Sequence, residues 1–354
     1  MDALEPRIAA LIDPNTGLPL GQGGARIRLA REQDRVALAL GLGYPLSEQG
    51  SGVLRTAMAA LLAADGLDLA SFELTHRIAA HAVQPSLAPL PRVRNVIAIG
   101  SGKGGVGKST TAVNLALALA AAGARVGVLD ADVYGPSVPT MLGLSGKPDS
   151  PDGKSIVPMR AHGIEAMSIG LMVEQDTPMI WRGPMATSAL TQLLGQTLWG
   201  GDAGLDYLLV DLPPGTGDIQ LTLSQKVPVT GAVIVTTPQD IALIDARKGL
   251  KMFEKVGVPI LGIVENMAIH ICSNCGHAEH IFGAGGGEKM AKDYGIEVLG
   301  SLPLDIRIRE QADSGKPTVV ADPDGPVAAI YRDIARKVAA RIAKQMEDRT
   351  SVFP

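Results

Sequence analysis

Residues 95–109 read NVIAIGSGKGGVGKS, and few stretches of this length restrict a fold as much. Gly102, four further residues, and then Gly107, Lys108 and Ser109 give the spacing of a phosphate-binding loop. Such a loop works only in one context, between a buried strand and the first turn of a helix. Its glycines let backbone N–H groups close on phosphate oxygens, and the helix start adds the positive end of its dipole. Both flanks are present: the apolar run NVIAIG precedes the loop, and KSTTAVNLALALAAA follows it at helical spacing. The same alternation continues with RVGVLD, MATSALTQLLGQTLW, YLLVD, GAVIVTT, IALIDARKGLKMFEKVG and PILGIVENM. Short apolar runs separated by amphipathic helices predict an α/β fold built on a mostly parallel, doubly wound sheet.

The loop sets the first roles. Lys108 is expected on the β- and γ-phosphates and the Ser109 hydroxyl on Mg²⁺, with Gly102, Lys103, Gly104, Gly105, Val106, Gly107 and Thr110 completing the nucleotide-binding segment. Two aspartate segments reinforce this. VGVLDADVYGP carries Asp130 and Asp132 at a strand end, and DYLLVDLPPGTGD carries Asp211 at another. The C-terminal edge of a parallel sheet is where ligands of such folds bind. Asp211 is the candidate for Mg²⁺, through water, and Gly215 to Asp218 form a loop able to sense the γ-phosphate. Asp132 is the candidate for orienting the attacking water. The fold is therefore expected to be of the P-loop NTPase type.

The chain has 354 residues, 46% of them hydrophobic, which leaves room for two domains. Residues 1–81 pattern as a small α/β domain: a helix-like start, alternating runs ARIRLA and RVALALGLGYP, a helix GVLRTAMAALLAAD and a strand SFELTHRIA. The stretch 82–95, AVQPSLAPLPRVRN, carries Pro85, Pro89 and Pro91 and is expected to be a linker into an ATPase domain at 96–354. PVAAIYRDIARKVAARIAKQMED, 326–348, patterns as a packed terminal helix with a basic face. A net charge of −4 gives no electrostatic footprint for nucleic acid. The N-terminus lacks a basic region followed by an apolar core, and the apolar stretch LALALAAAG (115–123) is too short to span a bilayer. A cytoplasmic protein without stable membrane association is expected.

Cys272 and Cys275 are the only cysteines, so the chain has no disulfide framework. One C-x-x-C pair supplies two thiolates, whereas a [4Fe–4S] cluster or a tetrahedral zinc takes about four ligands. Two copies across a twofold axis supply four. The other readings are a zinc site within one chain, completed by His270, His277 or His280, and a redox pair. The histidine spacing is compact for structural zinc, and the cysteines do not open a helix in a thioredoxin-like unit.

GKGGVGKST (102–110) resembles the deviant phosphate loop of the MinD, ParA and nitrogenase-iron-protein superfamily. With VLDADVYGPSVP, VDLPPGTGD, VENM and ICSNCG, the chain resembles the Mrp/ApbC family of iron–sulfur cluster carrier ATPases over nearly all of residues 92–320. The resemblance implies slow ATP hydrolysis by a homodimer, a [4Fe–4S] cluster shared by Cys272 and Cys275 of two subunits, and delivery to apo iron–sulfur proteins with assembly factors as further partners. It implies that Lys103 acts in trans on the partner's nucleotide, as an arginine finger does, and that the Asn266 amide contacts adenine with LPLD (302–305) nearby. Residues 1–81 resemble a small iron–sulfur-assembly-type domain through DPNTG (13–17) and the strand ending in GYP; they hold no cysteine, so they supply no thiolate. A MinD/ParA-like positioning ATPase and a zinc-stapled nucleotide-binding dimer are the alternatives.

Overall fold

A computed structural model describes residues 4–46, 48–172, 183–272 and 274–347. The chain opens with α1 (Leu4–Ala10), β1 (Arg26–Glu32), β2 (Arg35–Leu42), α2 (Glu48–Ala63) and β3 (Asp68–His76). These three strands form their own sheet in the order β1-β2-β3. Alternation decides its faces: Val36, Leu38, Leu40 and Leu42 of β2 are buried, whereas Ala37, Ala39 and Gly41 are not. The buried row packs with Ile8 of α1 and with Leu54, Met58 and Leu62 of α2 in one core. DPNTG and GYP meet here. The Tyr44 hydroxyl donates to Asp13 Oδ2 at 2.8 Å and accepts from Asn15 Nδ2 at 2.8 Å.

The second sheet begins with β4 (Val93–Gly100), α3 (Lys108–Ala121), β5 (Val126–Asp130), α4 (Val138–Met141), β6 (Met159–Ala161) and β7 (Ile164–Ser168). It continues through α5 (Gly183–Gln196), β8 (Leu205–Asp211), α6 (Asp218–Lys226), β9 (Gly231–Thr236), α7 (Asp240–Lys255) and β10 (Ile260–Ile271). It closes with β11 (Ala278–Glu279), α8 (Gly286–Tyr294), β12 (Val298–Pro303), α9 (Ile306–Asp313), α10 (Thr318–Ala321) and α11 (Pro326–Ala343). The strand order is β11-β10-β9-β4-β8-β5-β7-β6, with β12 also on β10. Only β6 and β11 run antiparallel to their neighbours. β4 lies at the centre with helices on both faces. Its Ile97 and Ile99 join a core with α3 and α11, while Val96 and Ala98 join a second core with residues of α5 and α7. The continuous apolar run of β4 follows from burial on both sides.

The Pro-rich segment expected as a linker over 82–95 runs into β4 at its end. It has neither helix nor strand up to Val93, where β4 begins, yet Gln84 is buried. Its side chain donates to the carbonyls of Ser224 and Val227 and accepts from Val229 N at 2.8 Å. One amide side chain thus satisfies three backbone groups at the end of α6 and fixes the segment. The terminal helix ends at Ala343, short of residue 348. No helix among the described residues is long and apolar enough to cross a membrane.

Candidate functional site

Strands β4, β8 and β5 end side by side. Ile99 pairs with Asp211, and Asp211 pairs with Asp130. The glycine loop and both aspartates therefore share the C-terminal edge of the sheet. Gly105 and Gly107 have φ values of +79° and +84°, a region costly for residues with a Cβ. Gly102 is required for another reason: a Cβ there would lie 2.0 Å from the Asp245 carbonyl carbon of α7. Ser101 Oγ donates to Lys103 O at 3.0 Å, and Gly215 N donates to Ser101 O at 3.0 Å. The second bond ties Gly215, in the 212–217 loop that leads into α6, to the residue that opens the phosphate loop.

Lys108 is buried, and its Nζ lies 2.5 Å from Asp211 Oδ1 and 3.4 Å from Ser109 Oγ. Burial pushes the Asp211 carboxyl above its usual range while Lys108 pulls it back. Asp211 Oδ2 is buried without a hydrogen-bond partner. An orphaned carboxylate oxygen beside a serine hydroxyl is a donor set that suits Mg²⁺, taken directly or through water. Next to it, Asp130 accepts from Ser137 N, Val138 N and Ser168 Oγ on Oδ2, and from Asp132 N on Oδ1, at 3.0–3.1 Å. Burial first and the Asp211 charge second push its carboxyl up to about 7. Asp130 thus organises the 131–138 turn, whereas Asp132 is half-buried and accepts only a 3.3 Å contact from Tyr134 N among its described bonds. Thr110 lies in the first turn of α3. Lys103 is half-buried, and its ammonium makes no hydrogen bond or ion pair with any described residue. Asp218 opens α6, and its side chain lies outside the described residues.

Asn266 departs from expectation. The apolar pattern of PILGIVENM suggests a strand ending there, but β10 runs on to Ile271. Met267 adopts φ +57°, and the β10–β12 ladder shifts register between Glu265 and Ile269. This irregularity breaks the sequence pattern without ending the strand. Asn266 Nδ2 donates to Val106 O at 2.9 Å, so the amide grips the phosphate loop, and a Cβ at Gly107 would lie 2.1 Å from that nitrogen.

Beyond Asn266, β10 carries the cysteines outward. His270 pairs with Glu279 and Ile271 with Ala278, making a short hairpin whose turn holds Cys272 and Cys275; Ser273 lies outside the described residues. Cys272 N donates to His277 O and Gly276 N to Cys272 O, both at 2.9 Å. The backbone amides of Cys275 and Asn274 point at the Cys272 sulfur and hold its thiol below the usual range. Both thiols are free and at least partly exposed. His270 and His280 bond the carbonyls of Leu304 and Ala268 through Nδ1. Among the described residues, no three His, Cys, Asp or Glu side chains gather as a metal site.

Two supporting residues were not apparent from the sequence. Ser168 reaches Asp130 from β7, and Glu265 is buried and accepts from Gly287 N at 2.6 Å, holding the start of α8. Neither sits in a motif, because each partner is distant along the chain.

A glycine loop at a strand–helix junction, with a buried lysine–aspartate pair behind it and a tethered 212–217 loop beside it, defines a P-loop NTPase. Residues 92–339 match the ParA family described as NUBPL iron-transfer P-loop NTPase, and the chain belongs to that family. It is 61% identical over 273 residues to an iron-sulfur cluster carrier protein of Pseudomonas fragi, covering 77% of this chain and 94% of that relative. It is 58% identical over 290 residues to the iron-sulfur cluster carrier protein of Escherichia coli K12, covering 82% and 78%. A solved nucleotide-binding protein from Archaeoglobus fulgidus in complex with ADP superposes with a TM-score of 0.58 at 38% identity, covering 67% of this chain and 91% of that one.

Proposed function

We propose that the chain is an ATPase that carries an iron–sulfur cluster on Cys272 and Cys275 and delivers it to apo-proteins, as a homodimer in which two C-x-x-C turns hold one [4Fe–4S] unit. The carrying observation is that strand β10 grips the phosphate loop through Asn266 and presents both thiols at its far end. Amides directed at the Cys272 sulfur favour the thiolate that a metal cluster binds. Among the described residues no third His, Cys, Asp or Glu side chain gathers with the two thiols, which favours four-thiolate ligation across two chains over zinc within one. Two free cysteines accord with the cytoplasm, where thiols stay reduced.

In the ATPase cycle, Lys108 exchanges Asp211 for the β- and γ-phosphates, and loop amides from Gly102 to Ser109 surround the same oxygens. Ser109 and Asp211 would hold Mg²⁺, whose charge would offset that of the phosphates. Asp132 orients a water in line with the γ-phosphorus; the new P–O bond forms as the bond to the β-bridging oxygen breaks, ADP leaves with those electrons, and the proton the water loses passes to the released phosphate or to solvent. Lys103 of the opposite subunit stabilises charge on the transferred group.

Anaerobic reconstitution with iron and sulfide, followed by metal and sulfide analysis per dimer, tests the proposal. The expected content is about four iron and four sulfide per dimer, lost in Cys272→Ala or Cys275→Ala while nucleotide binding persists. A double variant that kept the same visible absorption would remove the cysteines from the site. Stoichiometric zinc with no cluster would favour the stapled dimer.

A further inference from the structure

A cleft of about 960 Å³ lies between the open face of the three-stranded sheet and the N-terminal ends of β4, β5 and β8. Phosphate loop and cysteines sit at the opposite strand ends, so neither takes part in it. Its floor is ordered by register. Arg28, Ala39 and Glu73 form one row across the sheet, and Arg26, Gly41 and Thr75 the next. The central strand therefore contributes almost no side chain, and a backbone can approach it closely. The Arg26, Arg28 and Arg77 side chains are exposed in the cleft and make no ion pair or hydrogen bond with any described residue.

The facing wall adds positive charge. Arg94 and Arg125 both bond Asp206, at 3.2 and 2.9 Å, so two guanidinium groups share one carboxylate. Arg77 and Arg125 are near enough to repel Arg94. Glu73 and Glu347 are the remaining acidic groups of the lining. Five arginines thus face three carboxylates in a chain whose net charge is −4. Such an excess calls for an anionic occupant. Arg26 and Arg28, two residues apart on one strand, stand about 7 Å apart, the repeat of same-side residues in an extended peptide. A small anion concentrates its charge at one point and would leave most of this array unmet. No Phe, Tyr or Trp lines the cleft, so it lacks the broad aromatic platforms on which single-stranded nucleic acid stacks its successive bases.

We propose that this cleft binds an extended acidic segment of a partner polypeptide, laid along the β1 side of the sheet with alternate carboxylates on Arg26 and Arg28 and its end toward Arg77. Glu73 bounds the track on the far side of β2.

Fluorescence anisotropy on the full chain, with fluorescein-labelled octaglutamate as probe, tests the assignment. Octaglutamate is expected to bind and octaglutamine not. Arg26→Glu combined with Arg28→Glu should weaken binding about tenfold or more with ATP turnover and melting temperature unchanged. Arg26→Lys with Arg28→Lys should keep most of the affinity, because charge is retained on a surface that needs no repacking. Equal binding of octaglutamate to the parent and the charge-reversed chain would overturn the proposal, as would no binding at all. Displacement by stoichiometric pyrophosphate would identify a small-anion site instead, and tighter binding of oligothymidylate a nucleic-acid surface. Either result also refutes the peptide.

Discussion

Gly107→Ala should cripple nucleotide binding through two separable costs. A Cβ at φ +84° is strained by about 1–2 kcal/mol. It would also lie 2.1 Å from Asn266 Nδ2, which must withdraw and give up its bond to Val106 O, a further 0.5–1.5 kcal/mol or so. Together they come to about 1.5–3.5 kcal/mol, or a Kd for Mg-ATP raised by about 10- to 400-fold. Asn266→Ala alone loses the bond without strain, about 1 kcal/mol, a fivefold effect. In the double variant the collision is gone and the bond was already lost, so its cost should equal that of Gly107→Ala rather than the sum. Titration calorimetry of the four proteins completes the cycle, with an expected coupling of about 1 kcal/mol. Inorganic tripolyphosphate, run in parallel, isolates the loop from any base contact: if Asn266 positions the loop, its replacement weakens both ligands alike. Strict additivity, or an Asn266→Ala effect seen with ATP but absent with tripolyphosphate, would refute the reasoning.

Lys103→Ala should bind ATP nearly as well as the parent yet hydrolyse it poorly. A chain carrying both Lys103→Ala and Lys108→Ala, paired with an unmutated chain, should show background turnover; half the parent rate would mean that Lys103 serves its own loop. Asp132→Asn should spare ATP affinity and lower turnover by about 10²-fold or more, and unchanged steady-state rates would move the water-orienting role elsewhere. Asp130 holds a proton in the folded state up to about pH 7 that the unfolded chain releases near pH 4. Its contribution therefore lowers stability as pH rises between those values, by at most about 1.4 kcal/mol per pH unit. Thermal melts of parent and Asp130→Asn across that range should differ in slope, the variant being flatter; parallel curves would show that Asp130 titrates at its ordinary value.

What could be read from the sequence was what is local. The phosphate loop, the strand-end aspartates and the β4-α3 junction announce themselves because strand period, glycine spacing and helix start lie within one short stretch. Burial on both faces made β5, β8 and β9 equally plain. The hairpin was not legible, since β11 is two residues long and its pairing depends on β10 continuing past the irregularity at Met267. For the same reason Asn266 looked terminal and free, when it lies mid-strand and holds the loop. β7 was hidden by the buried Glu165, which is accommodated by Arg160 and by Gly200 N. Gln84 and Ser168 act on partners far along the chain, which periodicity cannot report. Lys108 was assigned to phosphates from the motif, and its bond to Asp211 emerged only with coordinates.

The grip of Gln84 bears on where this chain can be cut. A shortened protein beginning at Val93, the first residue of the central strand, would keep every residue of the nucleotide loop and both cysteines. It would also strip Ser224 O, Val227 O and Val229 N of their shared partner, at the junction where α6 hands over to β9. That helix begins at Asp218, immediately after the loop tied to Ser101. The core that α3 and α11 share with the N-terminal sheet would also lose Tyr44 and Leu46. A deletion intended to isolate the ATPase is therefore also a perturbation of the helix behind the 212–217 loop. A truncation retaining the chain from residue 82 would keep the tie and separate the two effects.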